Sequence, residues 1–216
     1  MKIKICGMRE AGNISELAEL APDYMGFIFY EASPRFAGAM QPQILASLPA
    51  AIARTGVFVN TPPARVADAV THYGLDAVQL HGSESPADCA AIAACFTGRP
   101  RPELIKAFGV DPGFDFSQTA AYENVADYFL FDTRSPAHGG SGKTFDWNLL
   151  AGYKGSKAFF LSGGIGPEHL ANLLRLDDSR LYAVDLNSRF ELAPALKDIA
   201  ELATTINTLR GNAAQP

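Results

Sequence analysis

Eight short runs of β-branched, aromatic and aliphatic residues recur along this chain, and they limit its fold more than any other feature. They are Lys2–Cys6, Tyr24–Tyr30, Ala53–Val59, Ala77–Leu80, Glu103–Phe108, Tyr128–Asp132, Lys157–Leu161 and Leu181–Asp185. Their last residues lie roughly 20–30 positions apart, the length of one strand and a helical return. Several are apolar throughout, as in Phe27-Ile28-Phe29 and Val57-Phe58-Val59. Parallel strands covered on both faces read this way. Eight such units predict an α/β chain closed into a (β/α)8, or TIM, barrel.

The connecting segments carry helix signals. Ser85-Pro86-Ala87-Asp88 offers an N-cap, a proline at the first helical position and an acid three residues past the cap. Cys89, Ile92, Ala93 and Phe96 follow at helical spacing. A second helix is predicted over Ala64–Tyr73 after Pro62-Pro63. A last one, with Ile199, Leu202, Ala203, Ile206 and Leu209 on one face, would close the barrel. After the fifth run, Asp111-Pro112-Gly113 marks a turn and leaves room for a short helix before Asn124. A barrel of 216 residues, 48% of them hydrophobic, can be one domain. The expectation is therefore a single barrel domain over 1–210 and a frayed tail over 211–216.

Composition narrows the function classes. The net charge of -5 argues against a nucleic-acid partner. No apolar run approaches the roughly 20 residues of a membrane span, and no signal peptide is evident. Three cysteines without a secretory signal read as reduced thiols in a cytoplasmic protein. No CxxC or HExxH spacing exists, so no metal site is expected.

Barrel enzymes build their sites at the C-terminal ends of the strands. That rule selects Cys6, Arg35, His81, Asp132, Ser162-Gly163-Gly164, and Asp185 with Asn187-Ser188-Arg189. Each has a plainer reading. Cys6 can be a small apolar residue capping a strand, and Cys89 and Cys95 fit that role better, on or near the buried side of a helix. Asp132 can cap a loop, or serve as an acid if apolar neighbours raise its pKa. Gly163-Gly164 can be a tight turn. Alternatively, with a helix opening at Pro167 and with Ser188 and Arg189 on the next loop, it can bind an anion through backbone N–H groups. Arg35 can grip a substrate carboxylate or be a surface residue. His81 can donate a hydrogen bond or satisfy a loop carbonyl. Gly139-Gly140-Ser141-Gly142 can be a lid or a flexible connection.

Taken together, these segments resemble the phosphoribosylanthranilate isomerases of tryptophan biosynthesis, over essentially the whole chain. The resemblance rests on Lys4-Ile5-Cys6-Gly7-Met8, Ser33-Pro34-Arg35, Val78-Gln79-Leu80-His81-Gly82 with Glu84, and Ile105-Lys106-Ala107. It continues through Leu130-Phe131-Asp132-Thr133, Phe145-Asp146-Trp147, Leu161-Ser162-Gly163-Gly164 and Val184-Asp185-Leu186-Asn187-Ser188. It implies an Amadori rearrangement of a small-molecule substrate, phosphoribosyl anthranilate, without cofactor or metal, by a monomer or homodimer. It further implies Asp132 as general acid and Cys6 as general base. Gly163-Gly164 and the Ser188 loop would bind phosphate, and Arg35 would face the anthranilate carboxylate. A thiolate base requires that the site lower the pKa of Cys6. The family's Ser-Gly-Val-Glu loop is Ser188-Arg189-Phe190-Glu191 here, and Pro194–Asp198 lacks a glycine often found before Lys-Asp. Two other readings stand beside this one. A histidine-pathway isomerase would show a two-carboxylate site on a twofold-repeated chain, and no such repeat is visible. A non-catalytic phosphate-binding barrel would leave Cys6 and Asp132 dispensable.

Overall fold

The computed structural model describes residues 1–38, 40–98, 100–134 and 144–211. Eight parallel strands close into a barrel in chain order. They are β1 (Lys2–Cys6), β2 (Tyr24–Ile28), β3 (Ala53–Phe58), β4 (Ala77–Leu80), β5 (Glu103–Val110), β6 (Tyr128–Thr133), β7 (Phe159–Leu161) and β8 (Leu181–Leu186). Closure is direct: β1 pairs with β8, with Lys4 opposite Asp185. The helices are α1 (Ala11–Glu19), α2 (Pro42–Ala46), α3 (Pro63–Tyr73), α4 (Pro86–Ala94), α5 (Leu170–Leu173) and α6 (Ile199–Leu209).

The pleat divides each strand between two cores. Ile3 and Ile5, Met25 and Phe27, Phe129 and Phe131, and Phe159 and Leu161 belong to the larger cluster, which the helices cover. The alternate residues fill the barrel interior, where Tyr24, Ala77, Ile105, Ala107, Leu130, Phe160 and Ala183 form a second cluster. Lys4 and Cys6 lie on this inner side of β1. Strands buried on both faces explain why the apolar runs are so continuous.

The elements follow the sequence closely, and the differences have physical causes. Tyr30 and Val59 extend the apolar pattern past the strands because they line the cavity above β2 and β3. β5 runs on to Val110 because Gly109 and Val110 pair with Asp132 and Thr133. The capping box forms as expected: the Ser85 hydroxyl accepts from Asp88 N–H, and the Asp88 carboxylate accepts from Ser85 N–H. Cys89 is buried, and Cys95 ends α4 as its C-cap. The short helix after β5 is a 3-10 turn, Phe116–Tyr122. The helix expected at Pro167 is a 3-10 turn over Pro167–His169 followed by the single turn of α5. An unforeseen hairpin, β9 (Glu191–Ala193) with β10 (Leu196–Lys197), stands between β8 and α6. The glycine-rich segment Gly139–Gly142 and tail residues 212–216 lie outside the described residues. Among the described residues no helix is long and apolar enough to cross a membrane.

Candidate active site

Cys6, Arg35, His81, Asp132, Ser162, Gly163, Gly164, Asp185, Ser188 and Arg189 all line one cavity of about 260 Å³ at the C-terminal end of the barrel. Chain closure brings them together. Gly26 faces Cys6 across β1 and β2, and a Cβ there would stand 2.6 Å from Cys6 Sγ. The absent side chain makes room for the thiol. Gly163 has φ of 95°, and a Cβ would stand 2.8 Å from Asp132 Oδ1. Glycine there sets the loop after β7 directly against the carboxylate.

Asp132 is buried and doubly hydrogen-bonded. Its Oδ1 accepts from Thr133 N–H at 2.9 Å, and its Oδ2 lies 3.1 Å from His81 Nε2. Gln79 Nε2 lies 2.7 Å from His81 Nδ1. With the amide N–H donating to Nδ1, the imidazole proton is placed on Nε2, facing Asp132. His81 therefore orients the carboxylate rather than satisfying a loop carbonyl. The turn that carries His81 is braced from behind. Glu84 accepts from the N–H groups of Asn60 and Gly82, and Lys106 Nζ donates to Glu84 and to Gly82 O.

Around Cys6 the interior is charged. Lys4, fully buried, donates to Asp185 Oδ1 at 2.9 Å and stands two residues before Cys6 on the same inner side of β1. Burial works against the Lys4 ammonium, but Asp185 and Cys6 outweigh it and hold its pKa above the ordinary lysine value. Lys197, also buried, donates to Asn187 Oδ1 at 2.7 Å and Glu191 Oε1 at 2.8 Å. Its pKa is pulled down, chiefly by burial and partly by Arg35, although Glu191 pulls it up. Glu191 moves down despite burial because it faces two cations, Arg35 and Lys197. The opposite leanings of this one ion pair follow from those unequal surroundings.

The expected depression of the Cys6 pKa is not what the site produces. Burial pushes the thiol up; Lys4 and Lys197 oppose it, and Asp185 adds to it. A desolvated thiolate is costly, and the nearby ammonium groups offset only part of that cost.

Two arginines are engaged within the protein. Arg35 Nε and Nη2 grip the Glu191 carboxylate at 2.6–3.0 Å, and Nη1 makes none of these bonds. Arg189 is exposed and pairs outward with Glu168 at 2.5 Å. The N–H of Gly166, at the start of the 3-10 turn, already donates to His169 Nδ1. The left-handed pair Gly163-Gly164 and Ser188, at the start of a 3-10 turn, line the cavity.

Reading along the chain gave no role to Lys4, Gln79, Glu84, Lys106, Glu191 or Lys197. Charged and amide residues inside buried runs, at Lys4, Gln79 and Lys106, were the available signal. Among the described residues no group of three His, Cys, Asp or Glu side chains could hold a metal ion.

Residues 3–208 match the family model for N-(5'-phosphoribosyl)anthranilate (PRA) isomerase. A curated relative of that name from Parabacteroides distasonis is 45% identical, over 97% of this chain and 93% of its own length. A crystal structure of phosphoribosyl anthranilate isomerase from Thermotoga maritima superposes with a TM-score of 0.85 at 35% identity, covering 98% of this chain and 99% of the other. A second structure of such an enzyme, in complex with reduced 1-(o-carboxyphenylamino)-1-deoxyribulose 5-phosphate, gives 0.82 at 31% identity over 98% of this chain and 99% of that one.

Proposed function

This chain belongs to the N-(5'-phosphoribosyl)anthranilate isomerase family, and on that premise we propose that Cys6 is the base and Asp132 the acid of its reaction. The chain is an isomerase of tryptophan biosynthesis. It converts N-(5'-phosphoribosyl)anthranilate into 1-(2-carboxyphenylamino)-1-deoxyribulose 5-phosphate.

The reaction opens a ribose ring and moves one proton off carbon. Asp132 protonates the ring oxygen, and the C1–O bond breaks to give an open-chain iminium. That iminium is an electron sink, which makes the C2 proton acidic. Cys6, as thiolate, takes this proton, and the C2–H electron pair forms the enolamine. The enolamine tautomerises to the ketone. Each turnover therefore moves a proton from Asp132 to the substrate and another from C2 to Cys6, and both groups must exchange protons before the next.

The observation that carries this reading is the lining of the one cavity. A thiol and a carboxylic acid face it from β1 and β6, with His81 directing the carboxylate. Backbone donors at Gly163-Gly164 and Ser188 suit a phosphate, and Nη1 of Arg35 suits the anthranilate carboxylate. Anchoring both ends of the substrate holds the reacting carbon between acid and base. The related structure with a reduced product analogue supports a ligand of this size and charge.

The test is consumption of phosphoribosyl anthranilate by the purified chain, followed by anthranilate fluorescence after exhaustive chelation. Turnover should persist without added metal, and Asp132→Asn should slow it at least ~10²-fold, because an amide delivers no proton. A turnover rate in Asp132→Asn equal to that of the unaltered chain would remove Asp132 from the acid's role.

A further inference from the structure

The reaction needs a thiolate at Cys6, yet burial pushes this thiol up. Something in the interior must limit that cost. Two buried cations, Lys4 and Lys197, act on the thiol, and Arg35 lines the same cavity. Lys4 stands two residues before Cys6 on β1, Lys197 reaches in from β10, and Arg35 from the loop after β2. They are paired with two carboxylates, Asp185 on β8 and Glu191 on β9. With Cys6 protonated, this group carries an excess of one positive charge, which an ionised Cys6 removes. Asp132 and His81 face the same cavity from β6 and β4.

The two lysines are not equivalent. Lys197 spends donors on Asn187 and Glu191, and acts on Cys6 through charge alone. Lys4 has a single carboxylate partner, and the next inward residue of its own strand is Cys6, so the buried ammonium and the thiol are neighbours on one face of β1. Asp185, opposite Lys4 in the β1–β8 register, keeps the ammonium charged and in place.

We infer that Lys4, held by Asp185, is the positioning residue against which Cys6 ionises: its buried ammonium donates a hydrogen bond to the thiolate and sets the pH at which the base becomes available. Lys4 touches no reacting atom and acts only through Cys6. The inference rests on the reading of Cys6 as the base, but it concerns the ionisation of a thiol, which is measured without substrate.

The experiment titrates Cys6 by thiolate absorbance near 240 nm and by the pH dependence of iodoacetamide alkylation. Each protein is compared with its own Cys6→Ala counterpart to subtract Cys89 and Cys95. Lys4→Met removes the ammonium, and Lys4→Met/Asp185→Asn removes it without leaving an unpaired buried carboxylate; because Asp185 itself pushes the thiol up, the double variant is read against Asp185→Asn alone. The double variant supplies the answer should the single one not fold, with circular dichroism as the check. In the folded variant the midpoint should rise by at least about one pH unit, and neutral alkylation should slow at least about tenfold. Lys4→Arg should restore part of the shift. A midpoint and alkylation rate in the folded double variant equal to those of Asp185→Asn would overturn the inference. Loss of activity in Cys6→Ala tests the separate claim that Cys6 is the base, so the two claims fail separately.

Discussion

The two ends of the barrel interior are built from the same strands and have opposite character. At the N-terminal end, Tyr24, Tyr128, Phe160 and Tyr182 pack ring on ring. Tyr24 stands edge-on to Phe160 at 5.3 Å, and Tyr128 stacks on Tyr182 at 4.5 Å. The Tyr24 hydroxyl is bonded there to Glu103 and Tyr182. One or two pleats further along, at the C-terminal end, the inward positions are Cys6, Gln79, Asp132, Ser162 and Asp185, and Lys4, the register partner of Tyr24, stands between the two sets. Burying aromatic surface stabilises the fold, whereas burying paired charges is close to neutral or costly. The lower end therefore closes the barrel, and the upper end holds groups whose protons can be moved.

That division can be broken from either side. Phe160→Ala empties the lower plug and should cost about 3–5 kcal/mol in denaturant unfolding, while the folded variant keeps its kcat. A large fall in kcat at unchanged stability would show that the two ends are not separable. Arg35→Ala, at the upper end, should lower kcat/KM by about 2–4 kcal/mol, the cost of breaking a buried charge pair. Lys at this position should recover only part of it, because it lacks the planar fork. Unchanged kcat/KM would take Arg35 out of the site.

Glu191 sharpens the comparison through pH. Its folded pKa is depressed, burial being outweighed by Arg35 and Lys197. A carboxylate depressed on folding contributes stability above its unfolded pKa, near about 4.3, and loses it as pH falls through the folded value. Unfolding melts of Glu191→Gln should therefore lie below those of the unaltered chain at neutral pH and converge with them under acid. A constant gap at all pH values would mean that its charge is not what matters. The smallest effect lies outside both ends: Ser85→Ala removes the α4 cap and should cost about 1 kcal/mol with activity intact. A drop in kcat instead would tie that helix start to the nearby His81 turn.

The barrel was legible because its strands are buried on both faces, which leaves a continuous apolar run in each unit. Cys6, Asp132 and Gly163-Gly164 were legible as strand ends, where a polar residue or paired glycines interrupt such a run. The charged network was not. Lys4 and Asp185 meet across 181 positions of chain, and Arg35 and Glu191 across 156. No local spacing records a pair made by barrel closure. The β9–β10 hairpin was missed because its strands are short, with the bonded pairs Leu196–Ala193 and Lys197–Glu191 interrupted by an irregular step. The helix at Pro167 shrank because a proline and glycines start a 3-10 turn as readily as an α-helix.

The central claim is that Cys6 takes the C2 proton. The most direct test is a single turnover of C2-deuterated phosphoribosyl anthranilate, with enzyme in excess, in the unaltered chain and in Cys6→Ala. Single turnovers remove product release from the observed rate. The unaltered chain should show a primary deuterium effect. Cys6→Ala should be slowed at least ~10²-fold while keeping its fold and its affinity for phosphate. Single-turnover rates in Cys6→Ala equal to those of the unaltered chain would contradict the account and assign the base to another residue.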